Sequence, residues 1–198
     1  MKAQGFIISS MIILLALTIL QFSFFNFRQK NLQLTYDYRI EQDYFDALRN
    51  EMLLSASLTD ENSLENFMMF LNFSKTEAIS KNYDVKIFAV HVSNNDNNPN
   101  AINVTLINFL DKNISVFLAL NSTPEQTDSA FIQKDKYYSK IFSVDRQKDY
   151  SLLISYTDGF NMTLDLRNTD SIFVFLDLNA TSEKFKYIDK SQKSYYFT

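Results

Sequence analysis

The chain contains a single histidine, His91, the one residue type whose ordinary pKa lies near neutral pH. It alternates with Ile87 and Ala89 within Val85–Val92, a stretch that is apolar on both alternating faces and therefore predicts a central β-strand. A histidine in such a strand is expected to be buried and satisfied by hydrogen bonds. His91 is therefore interpreted as a core residue and not as a catalytic base.

Other residue patterns that carry catalytic or cofactor chemistry are missing from the sequence. It has 2 glycines and no cysteine, which excludes thiolate metal sites and a cysteine nucleophile and leaves too few glycines for most phosphate-binding loops. The segment Asn94–Asn100 lacks the spaced acidic ligands of a calcium site and is interpreted as a loop. We therefore expect no catalytic residue, no cofactor, no metal and no small-molecule substrate, and a protein that is not an enzyme.

Asn-x-Ser/Thr sequons occur about twice as often as this content of Asn, Ser and Thr would give by chance. The sequon at Asn121 is weakened by Pro124, which follows it closely. The other five predict N-glycosylation at Asn72, Asn103, Asn113, Asn161 and Asn179. Because N-glycans are added to exported chains, the excess favours a C-terminal part that is extracellular.

The elements that would position these residues begin with Gly5–Phe27, a segment without a charged residue. A helix needs about 20 apolar residues to cross a bilayer, so this segment predicts a single transmembrane span. A cleaved secretory signal has a shorter apolar region of about 7–15 residues and ends in small residues, which are missing here. A plain signal anchor and a cleaved leader of another kind remain as alternatives.

The residues Lys2-Ala3-Gln4-Gly5, followed at once by Phe6, resemble the leader of type IV pilins and related archaeal surface proteins. The resemblance covers about 25 residues and implies cleavage at a processing junction between Gly5 and Phe6. It also implies a helix that anchors the chain or assembles with copies of itself or other pilin-like subunits. Ser10 stands where that family has a Glu.

One face of the predicted span carries Ser10, Thr18 and Gln21, which lie close together at 100° per residue. Small and polar residues on one face are typical of helices that pack against a neighbour in lipid. These three residues are therefore a candidate helix-packing face. The alternative is that Ser10 and Thr18 hydrogen-bond to their own helix and that Gln21 lies near the interface.

After the span, residues 28–58 show apolar positions every four residues, from Leu32 to Met52, and predict an amphipathic helix that continues the first. A second helix is predicted from the capping pattern at Asn62–Glu65 to about Ser80. From Tyr83 onward the period becomes that of strands. The predicted strands are Val85–Val92, Asn103–Phe109, Ile114–Leu120, Tyr137–Val144, Leu152–Thr157, Phe160–Arg167, Ile172–Leu178 and Lys184–Ile188.

The connections complete the predicted fold. Asp111–Asn113 is interpreted as a hairpin between its flanking strands, Ser122–Ser129 as a loop, and Asp158-Gly159 as a hairpin turn. The fold class is therefore α+β, with an antiparallel β-sandwich of immunoglobulin-like type after the helices. The predicted domains are a leader and transmembrane helix (1–27), a helical stalk (28–82) and the β-sandwich (83–198).

The net charge and the predicted domain organisation together limit the functions that we expect. The net charge is −4 and there is no basic stripe, so nucleic acid is not expected as a partner. The expected function is that of a membrane-anchored, pilin-like cell-surface protein with an exposed β-sandwich. Two alternatives remain: a monomeric anchored module that binds an extracellular ligand, and an accessory subunit of a membrane or secretion complex that uses Leu32–Met52 to bind its partner.

Overall fold

The computed structural model describes Gln21 and residues 38–57, 63–95, 98, 100–145, 147–156, 160–167, 172–183 and 185–195. The chain forms two compact units, Met1–Tyr44 and Phe45–Thr198. In the first unit, Gln21 and residues 38–44 are helical. Within the described ranges, no helix has both the length and the apolar character that a membrane crossing requires. Apart from Gln21, the predicted span Gly5–Phe27 lies outside those ranges.

The fold class is α+β, with two helices and nine antiparallel strands in two sheets among the described residues. Helix α1 covers residues 38–55 of the described chain. The remaining elements are α2 (Ser63–Ser80), β1 (Asp84–Asn94), β2 (Ala101–Phe109), β3 (Ile114–Leu120), β4 (Gln126–Ile132), β5 (Lys136–Ser143), β6 (Tyr150–Tyr156), β7 (Phe160–Leu166), β8 (Ile172–Thr181) and β9 (Lys186–Tyr195).

The strands form a five-stranded sheet with the order β5-β2-β1-β8-β9 and a four-stranded sheet with the order β4-β3-β6-β7. Alternate residues of both sheets meet in one apolar core, as expected when two sheets pack face to face. The core includes Phe88 and Val90 of β1, Leu118 of β3, Ile154 of β6 and Phe173 of β8. The sandwich predicted from the alternating pattern is therefore present.

Helical residues of the second unit cover the outer face of the five-stranded sheet. Phe45 of α1 is fully buried, with its ring centroid 5.8 Å from that of Phe185 and 5.5 Å from that of Tyr187. Phe67 of α2 is also fully buried, and its ring lies 5.9 Å from that of His91 on β1. Burial of each phenylalanine contributes roughly 1.5–3 kcal/mol, so these two side chains hold the helices on the sheet.

The eight strands predicted from the period of two are all present. Seven differ from their predicted ends by at most three residues, whereas β9 continues to Tyr195, seven residues beyond the predicted end at Ile188. Tyr156 pairs with Phe160, so β6 and β7 are adjacent antiparallel strands, and the predicted turn residues Asp158 and Gly159 lie outside the described ranges. Strand β1 is central, as predicted, because it pairs with β2 on one side and β8 on the other. Its burial on both faces follows from the helices on one side and the second sheet on the other.

The prediction of a loop at Ser122–Ser129 was wrong, because Gln126–Ile132 forms strand β4. The inward-facing position 128 of this strand holds an aspartate, which breaks the apolar alternation that marks a strand. Its carboxylate accepts a hydrogen bond from the Tyr138 hydroxyl and lies 3.6 Å from the Lys140 ammonium. Both partners are on β5 of the other sheet, so they compensate for the charge that β4 turns inward.

The prediction of a hairpin at Asp111–Asn113 was also wrong. Strand β2 belongs to the five-stranded sheet and β3 to the four-stranded sheet, so this connection crosses from one sheet to the other. The fully buried side chain of Asn108 holds the crossing: its amide nitrogen donates to the carbonyls of Lys112 at 3.0 Å and Ile132 at 3.1 Å. The period of two predicts which face of a strand each residue occupies, but it does not predict which strand pairs with which.

Candidate functional site

The residues predicted at the N-terminus lie almost entirely outside the described ranges. The processing junction Gly5-Phe6 and the packing-face residues Ser10 and Thr18 are not among the described residues. Gln21 is helical and exposed. The junction and the packing face therefore stay predictions.

The five predicted glycosylation sites are spread over α2 and both sheets and do not form one site. Asn72 on α2, Asn113 before β3 and Asn161 on β7 are exposed, whereas Asn103 on β2 and Asn179 on β8 are half-buried. The Asn103 side-chain oxygen also accepts a hydrogen bond from Asn95 at 3.0 Å. Exposure therefore favours the first three as glycan acceptors over the other two.

A cleft of about 820 Å³ lies at one end of the sandwich, where three loops meet. It is lined by Asn98 and Asn100 of the β1–β2 loop, by residues 121–124 between β3 and β4, and by residues 143–145 and 148–150 between β5 and β6. Its volume falls in the range of about 300–1,000 Å³ that is usual for small-molecule sites. The cleft is therefore large enough to hold a small molecule.

The side chain of Gln126, the first residue of β4, ties the cleft loops together. Its amide nitrogen donates to the Ser143 carbonyl at 2.6 Å and to the Ser122 hydroxyl at 3.0 Å. Its amide oxygen accepts from the Ser143 backbone N–H at 3.0 Å. One side chain therefore links the β3–β4 and β5–β6 connections.

Backbone hydrogen bonds and local turns hold the remaining wall of the cleft. The Val144 N–H donates to the Asn100 carbonyl at 2.9 Å, which joins the β5–β6 loop to the β1–β2 loop. The Asn98 side-chain oxygen accepts from the Asn100 N–H at 3.0 Å, a turn that asparagine favours. These bonds pre-organise the cleft, which lowers the ordering cost of binding.

Among the described lining residues of the cleft, two are acidic and one is basic. Asp145 accepts a hydrogen bond from the Gln147 N–H at 3.1 Å, and this bond, with the nearby Lys148 ammonium at 3.4 Å, holds the pKa of Asp145 below its usual range. Asp149 adds a second carboxylate. The cleft can therefore offer amides, hydroxyls and carboxylates to a neutral polar ligand.

His91 lies on the outer face of the five-stranded sheet, beneath α2, and is 1 % exposed. Its Nε2 atom has no hydrogen-bond partner among the described residues, so the expected full set of hydrogen bonds is not found. Burial lowers the pKa of His91 to about 4, opposed in part by a hydrogen bond with the backbone of Ala56. The imidazole is therefore neutral at pH 7 and is separated from the cleft.

The loops predicted at Asn94–Asn100 and Ser122–Ser129 overlap two of the three cleft loops, but the sequence did not predict that the three loops meet. The periodic pattern does not indicate which loops share an end of the sandwich.

Among the described residues, no group of three or more His, Cys, Asp or Glu side chains could hold a metal ion. Comparison with known proteins finds no matching family model, no similar curated protein and no similar solved structure.

Proposed function

We propose that this chain is a non-enzymatic, membrane-anchored surface protein of pilin-like layout that presents its β-sandwich outside the cell. The observation that carries this proposal is the uncharged segment Gly5–Phe27, which is long enough to span a bilayer. We expect the helix of the span to continue into α1, as the apolar period of residues 28–58 predicts, and to serve as anchor or assembly element. The sandwich behind it has an immunoglobulin-like architecture.

The position of the sequons supports an extracellular sandwich. A glycan acceptor must be reachable in the finished surface, and Asn72, Asn113 and Asn161 are exposed. The leader residues Lys2 to Gly5 support cleavage before Phe6. Under this proposal the mature chain begins with the apolar helix itself.

The test uses the full-length chain expressed in cells with a prepilin-type peptidase. We expect it in the membrane fraction after an alkaline wash, with a sandwich that external protease reaches and an N-terminus at Phe6 by mass spectrometry. The matched control is Gly5→Val, which should stay in the membrane but keep residues 1–5. Recovery of the unmodified chain in the wash supernatant would overturn the anchoring proposal.

The cleft favours a second candidate function, a monomeric anchored module that binds an extracellular ligand. Its amide- and hydroxyl-rich lining suits a neutral polyhydroxyl ligand such as a glycan. Binding of the membrane-embedded chain to a glycan array tests this function. Loss of the signal in Asn121→Ala, with binding retained in Asn82→Ala outside the cleft, would support it, and no glycan binding above background would rule it out.

A further inference from the structure

The sandwich has four edge strands: β5 and β9 in the five-stranded sheet, and β4 and β7 in the four-stranded sheet. Each of them pairs with one neighbour, and no described strand pairs with its other side. An edge strand presents unpaired backbone N–H and C=O groups, so it is a ready template for pairing with another chain. Native sheets therefore need a feature that keeps each edge unpaired.

Three of the four edges carry charges of the kind that discourages pairing. Strand β9 has exposed lysines at Lys186, Lys190 and Lys193, and β5 begins with the exposed Lys136. Strand β4 turns the carboxylate of Asp128 towards the interior of the sandwich. Lysines on an edge and charges that point inward are both means by which natural sheets avoid edge-to-edge association.

The fourth edge strand, β7, has neither kind of protection. It contains no lysine, and its one charged residue, Asp165, is exposed near the end of the strand. Residues 160–164 carry no charge and include no proline. This part of β7 is therefore the edge most open to a second strand.

The uncharged part of β7 contains the sequon Asn161-Met162-Thr163. Of the five predicted glycosylation sites, Asn161 is the one that lies on an edge strand. Both Asn161 and Thr163 are exposed, so the amide and the hydroxyl that the sequon requires lie at the surface. In the sequon of Asn72, by contrast, the hydroxyl residue Ser74 is fully buried.

We infer that an N-glycan on Asn161 protects the edge of β7 and keeps it unpaired. A second strand must approach to about 4.8 Å to form a ladder of hydrogen bonds. A glycan is bulky and solubilising, so on Asn161 it excludes another backbone from that distance. It then does at β7 what the lysines do at β9. This inference rests on the proposed extracellular position of the sandwich, because N-glycans are added to exported chains.

The first test concerns the presence of the glycan. The full-length chain is produced in cells that carry out N-glycosylation, and its peptides are analysed by mass spectrometry, with a glycan mass expected on Asn161. A chain that external protease reaches but that has no glycan on Asn161 would overturn the inference and leave the extracellular position intact. A chain that is protected from external protease would overturn both, so the two failures are distinguishable.

The second test concerns the edge itself. Asn161→Gln and Asn161→Lys both remove the glycan, but the lysine supplies a protection of the kind seen on β9. At equal concentration in mild detergent, sedimentation should show about tenfold more multimers of Asn161→Gln than of the original chain or of Asn161→Lys. Asn113→Gln is the matched control, because it removes an exposed sequon beside the central strand β3 and should not associate.

Changes at Thr163 repeat the second test without altering Asn161. Thr163→Ala abolishes the sequon and Thr163→Ser retains it, so multimers are expected from the alanine variant alone. If Asn161→Gln does not fold, this pair decides the inference. Equal multimer levels in Thr163→Ala and Thr163→Ser, or in Asn161→Gln and Asn161→Lys, would overturn it.

Discussion

The outer faces of the two sheets differ sharply, although both sheets belong to one sandwich. On the five-stranded sheet, Ile87, Ala89 and Leu176 face outward and are fully buried under the helices. On the four-stranded sheet, outward positions hold hydroxyl residues and partly exposed rings such as Phe131. The central strands β1 and β8, which are buried on both faces, therefore mark the covered part of the five-stranded sheet. The alternating strands of the four-stranded sheet leave its outer face, called the open face, exposed.

The largest expected effect is from truncation of a ring on the covered side. Phe67→Ala removes a fully buried side chain between α2 and His91 and should lower the free energy of unfolding by about 3–5 kcal/mol. The same change at Phe131 on the open face should cost less than about 1 kcal/mol. Urea denaturation of both variants in detergent measures the difference, and similar losses would contradict the comparison.

The second prediction concerns pH and the covered side. Because the folded-state pKa of His91 is about 4 and its unfolded value is about 6.5, the unfolded chain binds one more proton between these values. Stability is therefore fully present above about pH 6.5 and falls by about 1.4 kcal/mol per pH unit below it.

Urea denaturation at pH 7.5 and 5 measures this loss, which should be about 2 kcal/mol between the two pH values. His91→Gln, which cannot titrate, is the control and should remove the difference while other groups keep their own pH dependence. If His91→Gln shows the same loss as the original chain, the neutral buried imidazole is not its source.

A smaller effect is expected from a change at Asp128, whose carboxylate faces the interior of the sandwich. Asp128→Asn weakens the bond from the Tyr138 hydroxyl and removes the attraction to Lys140, so it should cost about 1–2 kcal/mol. The same change at Asp165, which is exposed on the open face, should have no measurable effect. Thermal denaturation compares the two variants. A loss with Asp165→Asn as large as with Asp128→Asn would contradict the assigned faces.

The smallest expected effect compares two serines. Ser139 and Thr105 share a hydrogen bond of 2.8 Å on the outer side of the five-stranded sheet, where Thr105 is 1 % exposed. Ser139→Ala leaves the Thr105 hydroxyl without this partner and should cost about 1 kcal/mol. Ser129→Ala on the open face should be neutral, and chemical denaturation in parallel distinguishes the two. A neutral Ser139→Ala would show that the bond contributes nothing.

Much of the sandwich could be predicted from the sequence because eight strands follow a period of two. Strand β4 was missed because Asp128 takes an inward position that an apolar residue usually fills, and its partners on β5 are distant in sequence. The connection at Asp111–Asn113 was misassigned because its length suits a hairpin, whereas the buried bonds of Asn108 direct it to the other sheet.

The cleft and the open face depend on information that no local pattern contains. Gln126 links two loops of the cleft through hydrogen bonds with Ser122 and Ser143. Only the strand order places those loops together. The alternation of apolar and polar residues in Ile114–Leu120 indicates which residues of β3 face outward. It does not predict that the neighbouring strands also present uncharged side chains on the same face, because the strand order decides which strands are neighbours.

The order of the central strands also has a consequence for how the chain is made. Strand β1 begins the sandwich, yet one of its two neighbours is β8, which the ribosome supplies late. Roughly 80 residues separate the two strands, and synthesis at about 5–20 residues per second needs several seconds to bridge them. Until then the middle of the five-stranded sheet stays incomplete, so this sheet can be completed only after most of the chain has been synthesised.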